Sequence, residues 1–534
     1  MDHSTLMQLI RPQAFPHPAG DIVLRETHIS WVVLAGEYAY KIKKPVNFGF
    51  LDFSTLDLRR HYCEQELALN RRFAPALYLA VVEITSDQEG PRFEGDGPTV
   101  EYAVKMRRFD ESLLLDNLAS QGELDRSLVR DLARELAFQH KQARVCHPDP
   151  ESDEPGSPAA LWAALLQNFR QVRDYQLVPD IREQLSALEQ WTRQQYSSAL
   201  PLMRERVARG YVIDGHGDAH LGNIALIDSQ VCLFDCIEFN PALRIMDSIS
   251  EIAFLGMDLQ ARGHPGEAHC LLCDYLEYRG DYRGLALLQL YRSYFAMVRA
   301  KVALLREPAN RADIEASEAY GEFRRYLTLA GEHSLPGTPF LAITHGVSGT
   351  GKSTVADKLA AAGAAVRIRS DVERKRLFGL APEQRSDPAD EKQLYGSDMS
   401  RKTFDRLEQL ATEALEAGFS VIVDATFLHR YSRDRFRLLA GQLGLPFVII
   451  DCTASPDELR QRLLTREKEA QDASEAGVRV MESQQEVDQP PAGDELLHRM
   501  EAHSDQDAST LWRQLQSVCN RQGGRAGEKS LSRR

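Results

Sequence analysis

No apolar run in this 534-residue sequence approaches the ~18 to 20 residues that cross a bilayer, so no membrane-spanning helix is expected. The opening stretch, MDHSTLMQLIRPQAFPHPAG, lacks a basic segment followed by an apolar one, and no signal peptide is expected. Cysteine is scarce: eight residues, scattered, which argues against a disulfide framework and for a reducing, cytoplasmic setting. Cys270 and Cys273 form a lone CxxC in EAHCLLCDYLEY, where the apolar spacing is helical. Packing explains both, since a zinc site would need a second pair of ligands. Basic residues are outnumbered, 64 against 78 acidic, for a net charge of -14. That speaks against a large nucleic-acid footprint and leaves room only for a local basic groove. No internal repeat is visible.

What remains is a soluble globular chain, 43% hydrophobic and 27% charged, long enough for two or three domains. The first part reads as strands: two β-rich runs in DIVLRETHISWVVLAGEYAYKIKK with a turn at AGE (35–37), then LYLAVVEI and TVEYAVKMRRF. LDLRRHYCEQELALNRRF and LVRDLARELAFQHKQA have helical periodicity. CHPDPESDEPGSP is an acidic, proline-rich loop. Helices are expected over 159–208 and from about 246 to 330, with short strands at 211–235. GEHSLPGTP (331–339) reads as a linker. Beyond it, strands such as FSVIVDAT and PFVIIDCT alternate with helices to about 520, the pattern of a parallel α/β sheet. The tail 521–534, RQGGRAGEKSLSRR, is expected to be disordered.

GVSGTGKST, Gly346 to Thr354, matches G-x-x-x-x-G-K-[ST] in full, between an apolar strand and a helix. Glycines let the backbone N–H groups of Val347, Ser348, Gly349, Thr350 and Gly351 turn inward around phosphate oxygens, and the helix N-terminus points at the same charge. Lys352 is expected on the β- and γ-phosphates, with the Ser353 hydroxyl on Mg²⁺. RIRSDVERKRLFG places Asp371 just past the second strand and Arg374 three residues on. There a carboxylate can take a proton from an attacking hydroxyl and an arginine can hold the acceptor. The plain alternative is an N-cap aspartate on a charged helix. Asp424 ends an apolar strand in SVIVDATF, the position of a Walker-B-type carboxylate near Mg²⁺. DELRQRLLTREKE carries Arg460, Arg462 and Arg466 on one helix; one or two, Arg462 and Arg466 in particular, could close over the triphosphate, and a solvated basic face is the alternative. On GVSGTGKST, SDVER, VIVDATF and LRQRLLTRE, residues 340 to about 490 resemble the P-loop kinase group of zeta toxins, gluconate kinases and polynucleotide kinases. Asp-x-x-Arg narrows the resemblance to kinases that phosphorylate a hydroxyl.

A second device lies upstream. In HGDAHLGN, Asp218 and Asn223 have the spacing of a kinase catalytic loop, where the aspartate orients the acceptor hydroxyl and the asparagine holds Mg²⁺. IALIDSQVCLFD supplies a hairpin turning at DSQ and then Asp235, a second Mg²⁺ carboxylate. YAYKIKK offers Lys41 and Lys43 on one strand face, and CEQELALN offers Glu64 and Glu66. Lys41 with Glu66 is the preferred phosphate-binding pair, Ala39 being the small residue over the adenine. No G-x-G-x-x-G covers this site. HGDAHLGN and FDCIEFNPALRIMDSISEIAF resemble the aminoglycoside phosphotransferase and choline kinase family over residues 20 to 330. By that resemblance Asp218 is the base, Asn223 and Asp235 hold Mg²⁺, and Asp247 matches a recurrent aspartate. A polycationic acceptor would want an acidic pocket; DESLLLD and the 149–154 loop are acidic, as ordinary solvated loops also are.

The expected architecture is therefore an α+β, protein-kinase-like bilobal domain (1–330), a linker (331–339), an α/β P-loop NTPase domain with a parallel sheet (340–520) and a tail (521–534). The whole chain resembles bacterial fusions of these two domains. The expected activity is ATP- and Mg²⁺-dependent phosphoryl transfer by both domains to hydroxyls of small molecules. The alternatives are a first domain that only binds a regulatory ligand, or an NTP-driven switch, against which Asp371 with Arg374 speaks. Acceptor identity, domain coupling and oligomeric state are not encoded in any motif.

Overall fold

The computed structural model describes residues 1–531 except 2, 50, 310, 312, 336, 364, 470–473 and 475–476, and omits the side chains of 388, 391, 466–469 and 523–531. The chain forms two compact units. One comprises Met1–Asp131, Phe138–Leu177 and Thr192–Asp258; the other comprises Leu132–Ala137, Val178–Trp191 and Leu259–Arg534.

The first unit opens on six antiparallel strands: β1 (Ile22–Glu26), β2 (Ser30–Ala35), β3 (Tyr38–Lys43), β4 (Tyr78–Asp87), β5 (Gly90–Phe93) and β6 (Thr99–Arg107). Their order is β1-β2-β3-β6-β4-β5. The turn between β2 and β3 has Gly36 at φ +57°, a conformation suited to a residue without Cβ. Trp31, Val33, Tyr40, Ile42 and Phe93 form the core on one face of the sheet. The helix Leu56–Asn70, N-capped by the Thr55 hydroxyl, covers the other through Cys63 and Leu67. That same core takes in Ala225 and Ile227. Farther along, β7 (Val212–Asp214) pairs with β10 (Ile245–Asp247), and β8 (Ile224–Ile227) with β9 (Gln230–Leu233). The β8–β9 turn is Asp228–Ser229, both at positive φ, the geometry that two-residue hairpins favour.

The second unit holds a five-stranded parallel sheet: β11 (Leu341–His345), β12 (Val366–Arg369), β13 (Val421–Asp424), β14 (Phe447–Cys452) and β15 (Arg499–Ala502). The order is β12-β13-β11-β14-β15. The chain leaves central β11 in one direction for β12 and β13 and returns past it to β14. Ligand crevices open at the carboxyl ends of strands at such a reversal. Ala342, Ile422, Val448 and Ile450 pack against Val355 and Leu359 of the helix Lys352–Gly363 and Leu511 and Leu515 of the helix Ala508–Leu531.

The fold class is as expected: an α+β protein-kinase-like fold followed by an α/β P-loop fold. Packing, however, does not divide the chain at 331–339. The helices Pro265–Arg279, Leu285–Leu304 and Glu318–Glu332 belong to the second unit. The reason is burial: Cys273 packs into the core of the parallel sheet, and its thiol points to the Ala365 carbonyl at 3.5 Å. The tail differs too. The last helix continues to Leu531, so 521–531 is helical where disorder was expected, although Gly523, Gly524 and Gly527 disfavour helix. Residues 532–534 lie outside the described residues. Among those residues, no helix is long and apolar enough to cross a membrane.

Candidate functional site

Two sites take shape, one in each unit. In the first unit, Lys41 and Lys43 sit two apart on β3, so their side chains leave the same face. Both meet Glu66, which the helix Leu56–Asn70 buries completely. Lys41 Nζ lies 2.8 Å from Glu66 Oε1 and Lys43 Nζ donates to Glu66 Oε2 at 2.7 Å. Lys41 also pairs with Asp235, and Lys43 with Glu238. Glu64 points away and pairs with Arg60 on the surface. Burial opposes the charge on Lys41, but Asp235 and Glu66 outweigh it and hold the ammonium well above its ordinary range. Burial likewise opposes ionisation of Asp235, yet Lys41 keeps that carboxyl below its usual range. Glu238 goes the other way, because burial outweighs Lys43.

Asp218 and Asn223 lie in the loop after β7. Asn223 Nδ2 donates to Asp218 O at 3.1 Å and to Oδ2 at 3.0 Å, which turns its carbonyl oxygen the other way. The loop is held from behind. Glu251 Oε1 accepts the N–H groups of His216 (2.8 Å) and Gly217 (2.7 Å), and its other oxygen meets His140 Nε2 at 2.8 Å. Asp258 accepts Leu221 N–H at 3.1 Å. His216 Nε2 reaches Phe234 O at 2.9 Å, tying the loop to the segment that carries Asp235. Asp235 itself has φ +63°, and its N–H donates to the Tyr78 hydroxyl at 3.0 Å. A non-glycine in this conformation is held there by its surroundings. Asp247 is buried in a two-point pair with Arg206 at 2.6 and 2.7 Å and also accepts the Ile249 N–H at 3.1 Å.

In the second unit, residues 346–351 form the loop and Lys352, Ser353 and Thr354 open the helix. Gly346 has φ +131° and a Cβ there would meet the Cys452 carbonyl at 2.5 Å; Gly351 has φ +88° and would meet Ser504 Cβ at 2.6 Å. Only glycine fits either place. The loop satisfies itself: Lys352 Nζ donates to Val347 O at 2.7 Å, Thr350 Oγ1 to the same oxygen at 2.9 Å, and Ser348 N–H to Gln484 Oε1 at 2.7 Å. A cavity of about 320 Å³ joins this loop to Asp371, Arg374, Tyr395, Asp424 and Arg462. Asp371 lies in the first turn of the helix Ser370–Phe378, 3.9 Å from Arg374, whose guanidinium stands over Tyr395 at 4.9 Å. Arg462 Nη1 points to Gly349 O at 3.4 Å, whereas Arg460 is exposed and lies 3.7 Å from Glu482. The side chain of Arg466 is outside the described residues. Burial raises Asp424 above the usual carboxyl range, against the pull of Arg369 and of a hydrogen bond with Ser353.

The structure thus brings Lys41, Glu66 and Asp235 together, sets Asn223 against Asp218, and lines one cavity with Lys352, Ser353, Thr354, Asp371, Arg374, Asp424 and Arg462. Motif reasoning missed Glu238, Glu251, Asp258 and Arg369. Lys43 was visible as a same-face neighbour of Lys41; for Glu238 the only signal was its place three residues after Asp235.

A family model described as an AAA domain matches residues 341–491. Over 453 residues the chain is 31% identical to "Uncharacterized protein Rv2004c" of Mycobacterium tuberculosis, covering 84% of this chain and 88% of that one. Among solved structures, a choline/ethanolamine kinase family protein from Mesorhizobium loti is similar at 12% identity over 62% of this chain and 99% of its own, TM-score 0.36. A gluconokinase from Sinorhizobium meliloti is similar at 20% identity over 37% of this chain and 98% of its own, TM-score 0.25. The chain belongs to the family of the mycobacterial protein.

Proposed function

We propose that the chain is an ATP-dependent phosphotransferase with two sites, each moving the γ-phosphoryl group of ATP to a hydroxyl of a small molecule. One observation carries this reading: each unit brings a base-type carboxylate, a pair of oxygen ligands and a phosphate-type lysine together. In the P-loop site, residues 346–354 cradle the triphosphate. Asp371 accepts the proton of the acceptor hydroxyl as its oxygen attacks phosphorus, and ADP leaves. Arg374 orients the acceptor and Arg462 faces the phosphates. In the first site Asp218 accepts the proton, and Lys41, steadied by Glu66, meets the α- and β-phosphates.

The oxygen donors suit Mg²⁺: Ser353 with Asp424 in one site, and Asn223 with Asp235 in the other, where Asn223 leaves its carbonyl oxygen free of the Asp218 contacts. When bound, the ion neutralises phosphate charge. Eight cysteines without a disulfide support a cytoplasmic setting. One observation favours the second reading, in which the first domain only binds a ligand: Asp235 is already engaged by Lys41.

The test is ATP turnover and phosphoryl transfer to a metabolite panel for wild type, Asp218→Asn and Lys352→Ala. Each substitution is expected to abolish transfer to its own acceptor, or to successive positions on one acceptor. If Lys352→Ala removes all turnover and Asp218→Asn changes nothing, the first domain is a sensor.

A further inference from the structure

One side chain reaches into the phosphate cradle. Gln484 comes from the helix Val478–Val487 and lines the P-loop cavity together with Val480, one turn before it. Its Oε1 accepts the Ser348 N–H at 2.7 Å. That N–H is one of the loop donors expected on phosphate, and a backbone N–H has a single hydrogen to give. An amide oxygen at 2.7 Å and a phosphate oxygen therefore cannot both hold it at full strength.

The helix itself is fixed by other contacts. Met481 packs with Val347 of the loop, with Leu428, and with Leu459 and Leu463 of the helix Pro456–Glu469. Beyond its last turn, Asp488 Oδ1 meets His345 Nε2 at 3.1 Å, and His345 Nδ1 meets Asp451 Oδ1 at 2.7 Å. Gln489 N–H donates to Leu428 O at 3.0 Å. None of these contacts uses the Gln484 amide, so its release takes a side-chain rotation and not a shift of the helix.

We propose that Gln484 is a built-in competitor for phosphate at the P-loop: its amide oxygen holds the place of a phosphate oxygen on Ser348 N–H and gives it up when a nucleotide enters. The exchange runs toward the nucleotide because a hydrogen bond to an ionised oxygen is stronger than one to a neutral amide. A neutral ligand oxygen gains no such advantage, so the contact favours phosphate over uncharged groups. Each binding event still gives up one neutral bond, and affinity is lower for it. The inference rests on the reading that this loop holds a nucleoside triphosphate.

The experiment is fluorescence titration of the full-length chain with a mant-labelled ATP and Mg²⁺. The P-loop component is the part lost in Lys352→Ala. Gln484→Met keeps the length of the side chain and removes the amide oxygen; its Kd should fall roughly three- to tenfold. Gln484→Glu keeps an acceptor that binds the N–H harder and repels phosphate; its Kd should rise roughly tenfold or more. Gln485→Met and Gln485→Glu, at the exposed neighbour, should stay within about twofold of wild type. The opposite signs carry the test, since a side chain that merely supported the loop would weaken binding in both Gln484 variants. An unchanged or raised Kd in Gln484→Met overturns the proposal. So does a Kd in Gln484→Glu no higher than in Gln485→Glu. Should Gln484→Met not fold, Gln484→Ala takes its place with the same expected sign. If wild type itself shows no Lys352-dependent binding, the phosphotransferase reading fails at this site and takes the inference with it.

Discussion

The two sites hold equivalent carboxylates in opposite electrostatic states. Asp235, just past β9, lies against Lys41 and is kept below the ordinary carboxyl range; Asp424 ends β13 beside Arg369 and the Ser353 hydroxyl, and burial lifts it above that range. The first site is built of charged side chains, with Lys41 and Lys43 among Glu66, Asp235 and Glu238. The second is a backbone cradle with one partly compensated acid. A side-chain site is therefore stabilised by the groups that make it functional, whereas a backbone site depends on conformation and is completed by its ligand.

Removing Glu66 should break the first site most severely. It leaves two buried lysines short of a partner, so Glu66→Ala should cost about 3–5 kcal/mol in urea denaturation followed by a probe in the first unit. Glu64→Ala, on the surface, should leave the midpoint in place. The comparable break in the second site is conformational. Gly346→Ala should cost about 1–3 kcal/mol from backbone strain and abolish Lys352-dependent nucleotide binding, read by calorimetry. Gly379→Ala is the control: it also sits at positive φ, but in open space, so binding should survive.

Arginines sharpen the contrast further. Arg462→Ala should lower turnover at the P-loop site roughly tenfold or more, since its guanidinium faces the loop. Arg460→Ala should not change turnover, because that side chain is 65% exposed. The smallest effect is one of pH. Burial raises Glu251 but His140 outweighs it, and the carboxyl titrates below its unfolded value of about 4.3. Its contribution to stability is then complete above about pH 4.3 and lost as pH falls through the lower, folded value. Between about pH 5 and about pH 3, Glu251→Gln should therefore flatten the acid limb of the first unit's stability curve, measured as urea midpoints.

Local chemistry made much of this legible. The Gly-Lys-Ser loop, the Asp218/Asn223/Asp235 spacing and the placing of Lys41 and Lys43 on one strand face rest on short-range rules of backbone freedom, hydrogen-bond reach and strand alternation. Glu66 was separable from Glu64 only by preference, because periodicity alone does not say which face of a helix meets β3. Lys43 with Glu238, or Glu277 with Arg367, could not be read at all: each joins charges far apart in the chain, and any exposed acid and base would look the same in one dimension.

The sequence by itself determined the Gly-Lys-Ser loop, the Asp218/Asn223/Asp235 spacing and the order of the folds, because those depend on neighbours within a few residues. Only the tertiary structure decided that the helices 265–332 pack with the P-loop sheet, that Glu66 serves two lysines, and that Asp235 pairs closely with Lys41 while Asp424 has Arg369 at 3.8 Å and the Ser353 hydroxyl. Burial and charge compensation are properties of the assembled core, and they set which of several chemically equal side chains is free to act.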